Sequence, residues 1–233
     1  TGPNLPTNNV GIASHTITGA GSWTGVTVTE LTGDLESINL GDITCGPVTI
    51  TINTCDFATL EAAVISVNAS PLGGIINFAC SGTINFANLL NITNTVTINE
   101  TAGDVVFDGG GITRHFVVSG GALTLNDFTL QNGIPAPVAD GGSIFNIGTL
   151  ITNGVTFTGN QASNYGGAIM NQGIATINNT AFTNNSAVAG GGAIANQGSL
   201  TVNTGSTFST NTAPTSFGGA IFNFMFRTAT IDA

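Results

Sequence analysis

The chain has 233 residues, 41% of them hydrophobic and only 6% charged, with 12 acids against two arginines (Arg114 and Arg227), a net charge of −10 and a pI near 4.1. That is enough apolar chain for one domain with a sizeable core. It is too few cations for the stripe that neutralises nucleic-acid phosphates or for a polybasic membrane anchor, and no run of about 18 apolar residues reads as a membrane-spanning helix.

The chain begins at Thr1 with no initiator Met, and the expectation is an extracellular or cell-surface protein whose signal peptide has been removed. Residues 1–54 alternate in places, as in Val26-Thr27-Val28-Thr29 and Val48-Thr49-Ile50-Thr51-Ile52, among many Gly, Asn and Thr. This predicts an N-terminal β extension of two or more strands. It folds back on its own chain or completes a neighbouring copy by strand addition, with Trp23 as a candidate assembly contact. Cys45, Cys55 and Cys80 fit no zinc or C-x-x-C spacing. At an extracellular address one pair, with Cys55 and Cys80 the candidates, closes a disulfide and leaves one thiol over; three buried free thiols are the alternative.

Next comes a helix at about 57–68. Asp56 is a good N-cap, and Leu60, Ala63, Val64 and Val67 fall on one helical face. Such a helix covers the open end of a β structure, the alternative being a partner-binding helix. Further on, Asp104, Asp108, Arg114 and His115 are the closest approach to a catalytic cluster. Two acids four apart beside one arginine read more simply as a structural cluster whose hydrogen bonds are satisfied.

The second half repeats. Units beginning at Gly121, Gly148, Gly173 and Gly198 are spaced 27, 25 and 25 residues apart, the period of a solenoid. Short alternating runs such as Leu123-Thr124-Leu125 and Leu200-Thr201-Val202 read as strands, three to a turn, which is a parallel β-helix rung. Rungs stack about 4.8 Å apart, so equivalent residues form columns. Phe128, Phe157, Phe182 and Phe208 make an inward aromatic column, and Ile144, Ile169, Ile194 and Ile221 an aliphatic one. Asparagines make three more: Asn126, Asn153, Asn178 and Asn203; Asn160, Asn185 and Asn211; Asn146, Asn171, Asn196 and Asn223. Stacked amides donate to one neighbour and accept from the other, so these read as structural ladders rather than ligand rows. Gly142, Gly167, Gly192 and Gly219 hold positive φ or allow close backbone approach at a corner.

The GGAI units at 166–169, 191–194 and 218–221 alternate with FxxN at 157–160, 182–185 and 208–211. This alternation resembles the repeat of chlamydial polymorphic outer-membrane proteins, shared by bacterial surface proteins of right-handed parallel β-helix type; GGSI at 141–144 departs by one small residue. The resemblance covers about residues 55–224. It implies that the 55–64 segment is the short helix opening such a domain, and that 74–78 and 105–110 are its first rungs. The expected fold is therefore an all-β, right-handed parallel β-helix of about six rungs over 55–226. It carries an N-terminal capping helix, the 1–54 extension and a C-terminal edge segment at 227–233.

The wider β-helix superfamily includes pectate lyases and polygalacturonases. A lyase needs clustered acids for Ca²⁺ and a basic residue to take the proton, and no such constellation is legible here. The reading is of no catalysis, no cofactor and no metal. Residues 141–226 contain no Asp, Glu, Lys, Arg or His. An uncharged Thr, Ser, Asn and Gly surface suits contact with copies of itself, carbohydrate or ice, or else simply stays soluble on its hydroxyls and amides. Thr156, Ala181 and Thr207, with Thr158, Thr183 and Ser209, form two broken outward ranks on one strand. After the last unit, Phe222, Phe224, Phe226 and Ile231 lie on an open apolar edge, the candidate contact for end-to-end assembly into a filament. The rival expectation is a monomeric adhesin, or an ice- or polysaccharide-binding protein, using the uncharged face.

Overall fold

A computed structural model of the chain describes residues 21–23, 27–29, 37–39, 43–135, 139–215 and 218–232. The backbone divides into two compact units, Thr1–Pro47 and Val48–Ala233. In the first, Gly21–Trp23 pairs antiparallel with Ile43–Cys45, and Thr27–Thr29 with Ser37–Asn39. The side chain of Trp23 lies outside the described residues.

The second unit is a parallel β-solenoid of about seven turns. Three sheets run along it. The first has eight strands, in stacking order Val48–Ile52, Gly74–Phe78, Thr95–Glu100, Ala122–Asn126, Thr149–Asn153, Ile174–Asn178, Ser199–Val202 and Thr228–Ile231. The second runs from Gly82–Asn85 to Thr207–Ser209 and the third from Leu90–Ile92 to Ile221–Asn223, each with six strands. The solenoid thus reaches beyond the 55–226 expected from sequence. Val48–Ile52 pairs with Gly74–Phe78, and Thr228–Ile231 with Ser199–Val202, so segments read as extension and edge are strands of the first sheet.

Strand alternation decides what is inside. In the first sheet Val96, Leu123, Leu150, Ala175 and Leu200 stack as one buried column, and Ile76, Ile98, Leu125, Ile177 and Val202 belong to the next. The helix spans Phe57–Ala69, one residue longer than expected. Asp56 caps it by accepting from the Thr59 backbone N–H at 2.8 Å and from its hydroxyl at 2.9 Å. Those bonds hold the Asp56 carboxyl below its ordinary range. Leu60, Ala63, Val64 and Val67 are buried against the first rung, as their spacing predicts. The Cys55–Cys80 disulfide, with Cα atoms 5.7 Å apart, ties the strand before the helix to the rung beneath it.

Corners between strands need left-handed backbone, and the columns fill them with residues that tolerate it. Asn132, Gly159 and Asn184 occupy one such corner at φ 53°, 64° and 56°, and Asp127, Gly154 and Asn179 another at 68°, 64° and 45°. The paired glycines of the GGAI units divide two roles between them. The first takes positive φ, as Gly166 does at 69°. The second allows close approach: a Cβ on Gly167 would lie 2.1 Å from the Gly192 carbonyl oxygen.

One expected column is displaced. Phe157, Phe182 and Phe208 stack nearly face to face, with centroids 5.0 and 4.8 Å apart, but their neighbour in the preceding rung is Leu130, not Phe128. Phe128 sits two residues earlier in the rung and stacks on Phe107 at 4.7 Å, joining a cluster with Phe78.

Candidate functional site and interaction surfaces

The asparagine columns are hydrogen-bonded ladders, and each has a direction. On the outer face of the first sheet the amide of each Asn donates to the rung before it, from Asn203 through Asn178, Asn153 and Asn126 to Asn99 and Asn77. The last two members were not legible as part of the column. Within the third sheet, Asn146, Asn171 and Asn196 are fully buried, and each donates onward to the next rung, ending on Asn223. Asn223 in turn donates to the Arg227 carbonyl. Asn160, Asn185 and Asn211 run the same way, and they also serve the backbone. Asn185 Oδ1 accepts from the Asn160 N–H, and its amide donates to the Phe157 carbonyl. Among the described residues the only buried side-chain polar atom without a partner is Asn146 Oδ1, where Val118 precedes Asn146 in the column.

The Asp104, Asp108, Arg114 and His115 group belongs to the early rungs. His115 is fully buried in the column that carries Ser143, Ala168 and Ala193 in later turns. Its Nε2 lies 3.0 Å from the Phe107 carbonyl and its Nδ1 2.9 Å from the Ser143 hydroxyl. A carbonyl only accepts, so Nε2 carries the proton and Nδ1 accepts from Ser143. Burial lowers the His115 pKa to about 4, against the smaller upward pull of the Phe107 carbonyl and Asp108. Burial lowers that of Arg114 too, against the pull of Asp140; its guanidinium lies 5.5 Å from the centre of the Phe145 ring.

Asp108 accepts from the Gly110 N–H and from the Gln131 amide, both at 2.8 Å, and from the Asn132 amide. Burial alone raises its pKa, but these bonds outweigh burial and hold the carboxyl below its ordinary range. Asp104 is exposed at φ 65° and is not brought to this group. Every polar atom of the His115 ring and both oxygens of Asp108 are thus engaged by the protein's own groups. Among the described residues no three His, Cys, Asp or Glu converge as metal ligands.

Two kinds of surface remain. The second sheet turns Thr129, Thr156, Ala181 and Thr207 outward in one rank, and Gln131, Thr158, Thr183 and Ser209 in the next. The expected hydroxyl face is present, and Ala181 interrupts it. The other surface is the C-terminal end. Earlier rungs turn from the third sheet to the first through Asn-Gln-Gly, at Asn171-Gln172-Gly173 and Asn196-Gln197-Gly198. The last does so through Asn223-Phe224-Met225-Phe226-Arg227, two residues longer. Met225 is 81% and Phe226 99% exposed, and Phe226 holds a positive φ of 65°. Phe222 and Phe224 instead pack laterally against Tyr165, at centroid distances of 5.8 and 5.0 Å. Tyr165 reaches Phe222 past Ala195, the small residue preceding Phe222 in its column. Ile231, in the end strand, is 56% exposed.

Residues 154–172 and 179–197 match the family model of the Chlamydia polymorphic membrane protein repeat. Each match runs from a second-sheet strand with its FxxN ladder residue to the third-sheet strand that ends its GGAI unit. No curated protein matches the chain. The columns and the matched repeats agree: the chain is a parallel β-solenoid carrying repeats of the Chlamydia polymorphic membrane protein type.

Proposed function

We propose that the chain is a non-catalytic structural protein of the cell surface that associates end to end with copies of itself into a filament. The surface location rests on the matched repeat, whose family consists of outer-membrane or surface proteins. The observation that supports self-association is the apolar surface beside the last described turn, where Met225 is 81% and Phe226 99% exposed next to a stretch, 141–226, without a charged side chain. Contact between the two unlike faces of a solenoid is head to tail, which propagates without closing unless rotation brings it round.

Electron microscopy at micromolar concentration, with sedimentation alongside, tests the proposal. Fibres are expected, and deletion of residues 227–233 should abolish them while β-rich circular dichroism persists. Discrete monomers at every concentration, or fibres that survive the deletion, refute it. The outward threonine ranks support the rival reading of a monomer that binds carbohydrate or ice through its second sheet. Monomers retained on a polysaccharide column would establish that reading instead.

A further inference from the structure

We infer that the corner following the second sheet holds a binding groove for an uncharged oligosaccharide, centred on Gly159. The site rests on the carbohydrate reading of that sheet and not on self-association. A groove of about 350 Å³ opens here beside the Gly110–Gly111 turn, within the size range of small-molecule sites. Asn132 and Gln161 are exposed along it, and half-buried Ile134 is its apolar wall.

Its centre is a gap in a column. Asn132, Gly159, Asn184 and Thr210 follow one another at this corner, all with positive φ. Asn132 donates to Asp108 at one end, and Asn184 accepts from the Thr210 hydroxyl at the other. Conformation does not require glycine between them, since asparagine holds the same backbone on both sides. Space does not require it either. Among the described residues a Cβ on Gly159 would have only Asn132 Oδ1 within 4 Å, at 3.4 Å. Gly154, at the companion corner, differs: its Cβ would meet Asp127 Oδ1 at 2.2 Å. Gly159 thus leaves open a space that the fold could fill.

Asp108 orients the nearest acceptor. Its carboxylate can only accept, so the Asn132 side chain turns its amide N–H toward Asp108 and its Oδ1 toward the space over Gly159. A ligand hydroxyl can donate to that oxygen, and the exposed Gln161 amide can both donate and accept. Ile134 offers an apolar surface to the C–H face of a sugar ring, and the glycine backbone at 110, 111 and 159 permits close approach. Beyond the groove, Thr158, Thr183 and Ser209 continue along the axis as one outward rank, about 4.8 Å apart. They lie in the 141–226 stretch without a charged side chain, and an extended chain of hydroxyl-bearing rings matches that track. An acidic glycan would face Asp108 and a net charge of −10 with no lysine to answer it. A basic peptide gains little, because N–H groups of Gly110, Gln131 and Asn132 already answer the Asp108 charge and the track beyond carries no acid.

Nuclear magnetic resonance titration of the full chain with cellotetraose, maltotetraose and chitotetraose tests the groove, beside trigalacturonate and a tetralysine peptide. At least one neutral tetrasaccharide should shift the amide signals of Gly110, Gly111 and Gly159, with a Kd of about 1 mM or tighter. Gly159→Asn installs the column's own residue, so it should keep the parent melting profile while weakening binding by about tenfold or more. Gln161→Ala should weaken binding by about fivefold and carries the test by itself if Gly159→Asn loses its fold. Gln172→Ala, at an exposed glutamine between the third and first sheets, should leave binding unchanged. No shift with any of the three neutral sugars, tighter binding of trigalacturonate or tetralysine, or binding that survives both groove variants would overturn the site. Retention of both groove variants on a polysaccharide column as strongly as the parent would remove this site while leaving the carbohydrate reading standing. Self-association is read separately, by sedimentation, and none of these results decides it.

Discussion

Asn185→Ala tests the central claim about what holds the rungs in register. The Asn185 side chain is fully buried and makes bonds in both directions along the column. Its Oδ1 accepts from the Asn160 backbone N–H at 3.1 Å and the Asn160 amide at 3.0 Å; its own amide donates to the Phe157 carbonyl and to Asn211 Oδ1, both at 3.0 Å. Alanine leaves the Asn160 N–H without its partner and removes one bond from each of the other three groups, in a place with no room for bulk water. A stranded buried donor costs about 1–3 kcal/mol, and the cavity adds to it, so the loss should be about 2–4 kcal/mol. Asn178→Ala is the control. That residue belongs to the half-exposed outer ladder, where water can replace the lost bonds, and the loss should stay under about 1 kcal/mol. Urea melts followed by circular dichroism measure both variants. Native-state hydrogen exchange at the Asn160 amide locates the effect, since a solenoid need not melt as one unit. Equal losses for the two variants, or an Asn160 amide that remains as protected as before, would refute the argument.

Three further outcomes follow from the same contacts. Neutral His115 is favoured in the folded state, so its contribution is complete above pH 6.5 and is lost as pH falls to about 4, some 3 kcal/mol in all. Asp108, with its lowered pKa, is lost only below 3.8, so His115→Gln should flatten the stability profile between pH 4 and 6.5 specifically. Gly167→Ala should prevent correct stacking of its corner, because the new Cβ meets the Gly192 carbonyl at 2.1 Å; a melt with Gly167→Ala indistinguishable from the parent contradicts this. Reduction of Cys55–Cys80 should destabilise the capped end by about 3 kcal/mol, seen as faster exchange in the helix while amides near Asn171 are unaffected.

Much of this architecture was written in the columns. The Ile144-to-Ile221 column, the three Asn ladders and the capping helix follow from spacing and residue type, whereas the sequence offered Cys55 and Cys80 only as candidates and the structure joins them. Where reading failed, a local rule had already broken. Phe128 is followed by Asn at four residues, not at the three of FxxN, and its rung places Leu130 under Phe157 and Gly133 where Asn160 stands later. The early strands Gly82–Asn85 and Leu90–Ile92 lie in rungs without GGAI or FxxN, so nothing periodic announced them. His115 was visible as a residue but not as a column member, because Arg114-His115 replaces the Gly-Ala of later turns. The cleft between Ile50 and Ala58, Thr59, Ala62 and Ala63 of the helix could not be read at all, since it depends on where the helix lies against the first strand.

The direction of the ladders bears on how long such a rod can be. Each interior asparagine gives to one neighbour and takes from the other, so a duplicated stretch from Gly148 to Gln172, inserted before Gly173, arrives with the donors and acceptors its new neighbours require. The junction on either side of the insert is chemically identical to the one it interrupts. An insert of 24 or 26 residues keeps the ladders only where a corner takes up the difference, as it does in the 26 residues between Asn185 and Asn211. Length is therefore a modular variable in this molecule, added in whole turns, with the corners free to vary by a few residues. In the third-sheet ladder the special chemistry is confined to the two termini, at Asn146 and at Asn223.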